Sequence, residues 1–342
     1  MKHAFIQSIE HVLPSGRVNN EQLAALYPGW TAAKIREKTG IDERAVVDDN
    51  TFASDLAVEA VNRVLVKSGV DKRVIDLLVL CTQSPDYLLP TTACLVQDRC
   101  GLPTTTAALD INLGCSAYPY GLAMIRGMME TGAAHHALLV TAETYSRYIH
   151  PLDKSVRTLF GDAASATLLG LHEGDSPPLG PFVLGSDGSG AKNLIVEVGG
   201  ARRPAGLGDL PSTTDGSGNT RTARNLYMNG PAIFEFTSKR VPDLVTQLLK
   251  RSGLGIGDVD YFVFHQASEM MLRHLQRRLV IPDERFPMYF AHCGNTVSST
   301  IPIVLQNLAD TGKLTVGARV AVVGFGVGYS WGAGLIRWEA AN

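Results

Sequence analysis

The chain has 342 residues, 31 Lys and Arg against 33 Asp and Glu, a net charge of −2 and 45% hydrophobic residues. That length suits two domains of about 170 residues, and the balanced, interspersed charges give neither a basic field for nucleic acid nor an acidic tail. Small molecules and proteins are therefore the expected partners, with no nucleic acid and no membrane: no run reaches the roughly 18 apolar residues of a span, no signal peptide is apparent, and a cytoplasmic location is expected.

The spacing predicts a strand over residues 5–12, a helix over 19–27, and a helix over 33–39 closed by Gly40, with a charged turn at 41–44. Residues 52–68 form a better helix, since Leu56, Ala57, Ala60, Val61, Val64 and Leu65 recur at helical spacing. The run DLLVLCT at 76–82 is apolar throughout and of strand length, which suits a sheet covered on both faces. A proline-bounded loop leads to a helix at 91–100, and strands follow at 136–141 and 163–171. The alternation indicates an α/β architecture. His135-His136 looks like a metal pair, but adjacent strand residues point apart, so a structural role is expected. The five cysteines, Cys81, Cys94, Cys100, Cys115 and Cys293, are odd in number and lack a CxxC pair, so neither a disulfide framework nor a metal site is indicated.

The central stretch is TAALDINLGCSAYPYGLAMIRGMMET, residues 106–131. A short apolar strand is broken at Gly114, and Cys115 stands where a nearly all-apolar, hence buried, helix begins. Free amides and the positive end of a helix dipole favour thiolate over thiol, making Cys115 a candidate nucleophile, although a small buried cysteine is also common in cores.

The pattern then recurs. Asp76-Leu-Leu-Val-Leu-Cys81 matches Asp260-Tyr-Phe-Val-Phe-His265; Cys115 lies sixteen residues before Thr131-Gly132, as Asn295 does before Thr311-Gly312; and two further strands match, each followed by Tyr-Ser. Such a duplication predicts two halves, residues 1–175 with Cys115 and 176–342 with His265 and Asn295, meeting at one site. Between the matching segments lies a Gly-, Pro- and Arg-rich stretch at 199–225, whose Arg202, Arg203, Arg221 and Arg224 are candidates for phosphate or an acidic partner, beside the plainer reading of a solvated loop.

Together, DINLGCSA, FVFHQAS and HCGNTVSSTIP, with TGIDER, LPTTACLVQ, LFGDAASATLL, YMNG and GFGVGYSWGAGLIRW in order, resemble the thiolase superfamily and most closely the β-ketoacyl-acyl-carrier-protein synthase III family. The resemblance implies a duplicated thiolase-like five-layered αβαβα sandwich. It implies that Cys115 takes an acyl group from a thioester, that His265 and Asn295 bind a malonyl thioester and stabilise its enolate, and that the amides of Cys115 and Val327 hold the oxyanion. It further implies acyl carrier protein and acyl-CoA as partners, coenzyme A or carrier thioesters as substrates with no cofactor or metal, and a homodimer.

Departures from the family pattern mark candidate substrate-binding positions. Lys34 and Lys38 stand where a tryptophan and an arginine are usual, Ser268 and Met270 follow HQA, Leu89 replaces a phenylalanine, and Arg157 and Thr158 replace apolar residues; Asn229 in YMNG joins this set. The expectation is a specialised enzyme with a longer, polar or carboxylated acyl group, rather than an acetyl-primed initiator. The alternative is an acyltransferase of the same fold that passes the Cys-bound acyl group to a hydroxyl or amine. A papain-like protease would share the order Cys, His, Asn, but its local signature is absent.

Overall fold

The computed structural model describes residues 1–206, 208 and 210–339. The first half runs β1 (Lys2–Val12), β2 (Gly16–Asn19), α1 (Asn20–Ala24), α2 (Ala32–Thr39), β3 (Glu43–Val46), α3 (Ala53–Ser68), β4 (Leu77–Cys81), α4 (Thr92–Arg99), β5 (Ala107–Ile111), α5 (Ala117–Glu130), β6 (Ala137–Glu143), α6 (Lys154–Arg157) and β7 (Ala163–Glu173). The second runs β8 (Leu179–Ser186), the two-residue strands β9 (Leu194–Ile195), β10 (Thr213–Thr214), β11 (Thr220–Arg221) and β12 (Tyr227–Met228), then α7 (Gly230–Ser252), β13 (Tyr261–Phe264), α8 (Glu269–Leu279), α9 (Thr300–Asp310), β14 (Arg319–Gly326) and β15 (Ser330–Arg337).

Two sheets carry the architecture, in the orders β1-β7-β6-β4-β5 and β8-β15-β14-β13. β1 corresponds to β8, β7 to β15, β6 to β14 and β4 to β13, and each correspondence keeps its parallel or antiparallel sense. α3 and α4 cover the outer face of the first sheet and α7 that of the second, where it packs on α8, while α5 and α9 lie between the sheets. This is the duplicated five-layered αβαβα sandwich of the thiolase fold. The continuous apolar run of β4 follows from its place, since all of Leu77–Cys81 is buried with a helix layer on each side.

Small repeated devices fix the two copies. Asp76 accepts from the amides of His135 and His136, and Asp260 accepts from that of Arg319 at 2.8 Å, each carboxylate tying one strand's start to its neighbour's. Of the two rings, that of His135 joins this tie, with Nδ1 3.2 Å from Asp76 Oδ2. Thr131 and Thr311 close α5 and α9, each hydroxyl donating to the carbonyl four residues earlier.

The structure differs from the sequence expectation in three places. Residues 43–46 form a strand paired with β2 rather than a charged turn, because Arg44 is buried and donates Nε to the Thr158 carbonyl at 2.9 Å. The helix near Cys115 begins two residues later, at Ala117. The stretch 199–225, of which Leu207 and Asp209 lie outside the described residues, contains the β10–β11 hairpin. Three of its four candidate arginines tie it to the chain: Arg203 pairs with Glu197 at 2.7 Å, Arg221 with Asp153 and Asp215 at 2.7 Å each, and Arg224 donates to the Ala205 carbonyl at 2.6 Å. No helix among the described residues is long and apolar enough to cross a membrane.

Candidate active site

Cys115 sits on the turn from β5 to α5, where Gly114 makes room for Gln83 and Gly326 for the thiol. A Cβ on Gly114 would lie 2.5 Å from Gln83 Oε1, and one on Gly326 would lie 2.9 Å from Cys115 Sγ. Ser116, at the N-cap of α5, does not cap it; its hydroxyl instead lies 2.7 Å from that of Ser330 at the start of β15, joining the halves beneath the thiol. The sequence reading expects the helix end to hold a thiolate, but burial prevails and pushes the Cys115 thiol up to about 12. The backbone amides of Cys115 and Val327 act in the opposite sense and favour the thiolate. That pair of donors is what an oxyanion on a Cys-bound carbonyl requires.

His265 follows β13, whose register holds it through its amide on the Val323 carbonyl at 2.8 Å. Its Nδ1 lies 2.8 Å from Thr300 Oγ1 at the start of α9, and Phe325 meets its ring edge to face at 5.6 Å. No described residue pairs with Nε2. Desolvation pushes the imidazole down to about 3, so it stays neutral at physiological pH.

Asn295 lies on the loop before α9. Its backbone is held by Leu159 and Gly161 of the first half at 2.9 and 3.0 Å. Its Oδ1 accepts from the Val297 amide at 3.0 Å, which fixes the side chain and leaves Nδ2 as the free donor. Val297 reaches back by adopting φ of 54°, an uncommon conformation for a β-branched residue.

These three side chains line one cavity of about 630 Å³, otherwise mainly apolar, with Leu159, Phe160, Met228, Ile233, Phe234, Met271 and Phe325 in its wall. A smaller chamber of about 140 Å³ is bounded by Val327, Leu194, Gln83, Asn112, Tyr145 and Tyr148. Glu143 is fully buried at the end of β6, where it accepts from the Gln83 amide and the hydroxyls of Ser84 and Ser298. Burial pushes it up to about 8.

Of the other sequence candidates, Ser268 lines the large cavity, and its hydroxyl also caps α8 at Met271. Asn229 lies between the wall residues Met228 and Gly230, but its carbonyl oxygen is committed to the Ala232 amide as the cap of α7. Lys34 and Lys38 are exposed on α2 and flank the Trp30 ring at 5.2 and 5.8 Å. Leu89 is 83% exposed. Thr158 is buried with its hydroxyl on the Lys154 carbonyl at 2.8 Å, and Arg157 is half-buried beside it. None of these last five residues lines either chamber of the single chain.

Sequence reasoning missed Thr300, Glu143 and Gln83, which act through contacts between segments 35 to 155 residues apart.

Two family descriptions match the chain: 3-oxoacyl-[acyl-carrier-protein] synthase III over residues 109–188, and the C-terminal part of the same family over 249–338. A Streptomyces coelicolor protein, β-ketoacyl-[acyl-carrier-protein] synthase III 3, is 36% identical over 333 residues, 96% of each chain. Among solved structures, a 3-oxoacyl-(acyl-carrier-protein) synthase III is 48% identical with a TM-score of 0.96, covering 98% of this chain and 100% of its own. A 3-oxoacyl-(acyl-carrier protein) synthase from Burkholderia xenovorans LB400 is 33% identical with a TM-score of 0.90, covering 100% of this chain and 96% of its own.

Proposed function

The chain belongs to the β-ketoacyl-[acyl-carrier-protein] synthase III family, and we propose that it condenses a Cys115-bound acyl group with a malonyl thioester. The observation that carries this is the meeting of Cys115, His265 and Asn295 at one cavity.

Each residue has a role that its surroundings suit. Cys115 Sγ attacks the acyl thioester, and its proton leaves with the departing thiol. The oxyanion formed on the way rests on the amides of Cys115 and Val327. A malonyl thioester then enters, its carbonyl oxygen facing His265 Nε2 and Asn295 Nδ2. Loss of carbon dioxide leaves an enolate on that oxygen, and a neutral imidazole and an amide are fixed donors that need no reorganisation. The enolate carbon attacks the acyl carbonyl, and collapse of the second oxyanion frees the β-ketoacyl thioester and the cysteine.

The apolar cavity suits a flexible arm that delivers thioesters from coenzyme A or acyl carrier protein. Tyr87, Leu88 and Leu89 are 61, 85 and 83% exposed, an apolar tip that supports a homodimer in which it is covered. A specialised pathway is favoured over an acetyl-primed one, on the substitutions at Lys34, Lys38, Leu89 and Ser268.

The test is intact-protein mass after mixing the enzyme, or Cys115→Ala, with acyl-CoA and acyl-carrier thioesters. The wild type alone should gain one acyl mass, and malonyl thioester should discharge it with release of carbon dioxide. Discharge only by a hydroxyl or amine acceptor would indicate acyl transfer instead. Equal labelling of the alanine variant would sink the mechanism.

A further inference from the structure

Resting on the proposed acyl-enzyme, we infer that Ser116 and Ser330 are positioning residues for acylation. Their paired hydroxyls clamp the turn that carries Val327 onto the nucleophile turn, and so fix the Val327 amide relative to Cys115.

The turn needs holding. β14 ends at Gly326 and β15 begins at Ser330, which leaves Val327, Gly328 and Tyr329 to reverse the chain. Val327 therefore stands between two glycines, and Gly328 takes a φ of 137°, where residues with a side chain rarely go. Backbone flanked by glycines loses the most freedom when it is ordered, yet an amide that is to meet an oxyanion must be in place before the charge develops.

Two hydroxyls remove that freedom. Ser330 donates to the Val327 carbonyl at 2.7 Å, and its oxygen lies 2.7 Å from that of Ser116. A carbonyl only accepts, so the one proton of Ser330 is spent there, and Ser116 gives its own to the Ser330 oxygen. The result is a directed chain from the residue after Cys115 to the residue whose amide favours the thiolate. Ser116 is free for this task because its side chain makes no cap bond to α5. The two serines are 0 and 4% exposed, which shields both bonds from competing water.

The backbone around the clamp is already close. A Cβ on Gly324 would lie 2.6 Å from the Cys115 carbonyl oxygen and 2.9 Å from Ser116 Cα, so β14 runs directly against the nucleophile turn. Tyr329 exchanges both of its backbone hydrogen bonds with Asp187, at 2.8 and 2.9 Å, which fixes the far side of the reversal. Ser330 fixes the side that bears Val327. His265 and Asn295 are held by Thr300 and Val297 instead, so the clamp bears on acylation and not on loss of carbon dioxide.

The experiment follows acylation of Cys115 by intact mass under single-turnover conditions, with acetyl, butyryl and octanoyl groups offered on coenzyme A and on acyl carrier protein. Carbon dioxide release from malonyl-CoA is measured beside it. Ser330→Ala should slow acylation about tenfold and leave carbon dioxide release near the wild-type rate. With a ¹³C-labelled acyl carbonyl, the infrared stretch of the acyl-enzyme should move to higher frequency in this variant, because a displaced amide polarises the carbonyl less. Ser330→Thr, which keeps the hydroxyl, should restore both the rate and the stretch. Ser116→Ala leaves the bond from Ser330 to Val327 in place and should show a smaller loss in the same direction, which carries the comparison if Ser330→Ala does not fold. The double alanine variant should be no slower than Ser330→Ala, since Ser116 acts through Ser330. Wild-type acylation in both alanine variants, an unshifted stretch, or an equal loss of carbon dioxide release overturns the inference while leaving the acyl-enzyme intact. Absence of wild-type acylation by every donor overturns both.

Discussion

His265 Nδ1 and Thr300 Oγ1 stand 2.8 Å apart, and the same hydroxyl lies 3.0 Å from the Val297 carbonyl. The hydroxyl donates to that carbonyl, and its contact with Nδ1 fixes the orientation of the imidazole; the tautomer that donates to the enolate carries its proton on Nε2. Thr300 is thus a positioning residue. Thr300→Val should leave acylation of Cys115 unchanged, while malonyl decarboxylation falls about tenfold; Thr300→Ser should restore it. An equal loss in both half-reactions would mean that Thr300 serves only packing.

Asn295 offers a sharper separation of the two half-reactions. Because Oδ1 is spent on the Val297 amide, the function resides in Nδ2, which Asn295→Asp replaces with an oxygen. That variant keeps the loop's hydrogen bond but should lose decarboxylation by roughly 100-fold or more, with acylation by mass little changed. Carbon dioxide release from malonyl thioester at the wild-type rate would refute the assignment.

A methyl group at position 326 would stand 2.9 Å from the sulfur and 2.8 Å from Cys115 Cβ. Gly326→Ala should therefore slow acylation by about 100-fold, the usual penalty for displacing a reacting atom by an ångström. Its melting temperature, read beside the rate, distinguishes a misplaced thiol from a misfolded chain.

Glu143 gives a pH prediction. Its folded value, about 8, lies above the ordinary 4.5, so the folded state holds a proton that the unfolded chain has released. This contribution to stability is complete below about 4.5 and is lost as pH rises towards 8. Glu143→Gln, which keeps the shape and one acceptor oxygen without the ionisable group, should reduce the fall in melting temperature between pH 5 and 8. His265 works in the opposite direction, losing stability as pH falls from 6.5 towards 3, so the difference between variant and wild type is the quantity to follow. A pH slope identical in the two proteins would refute the buried-proton reading.

The duplicated α/β fold was readable because its signals are local and occur twice: apolar strands after Asp76 and Asp260, and helices ending at Thr131 and Thr311. Cys115, His265 and Asn295 were readable because each sits in a matching segment of that repeat. Lys34, Lys38 and Arg157 were singled out for their departure from a pattern, yet a departure carries no coordinates. Lys34 and Lys38 lie against Trp30, a neighbour at helical spacing that the pattern did not highlight. The cysteine's charge state was unreadable for another reason: a helix dipole can be inferred from sequence, but the depth of burial that outweighs it cannot.

The central layer has a consequence for how the chain is made. β1 pairs with β7 from Lys2↔Glu173 to Val12↔Ala164, and α5 is buried against β14 and β15 as well as its own sheet. Contacts so distant in sequence close slowly, and those of α5 wait for the last strands to leave the ribosome. Until then the inner face of the first half is an uncovered apolar surface. A fragment of residues 1–175 should accordingly bind a hydrophobic dye and aggregate, and should become soluble when 176–342 is supplied in trans.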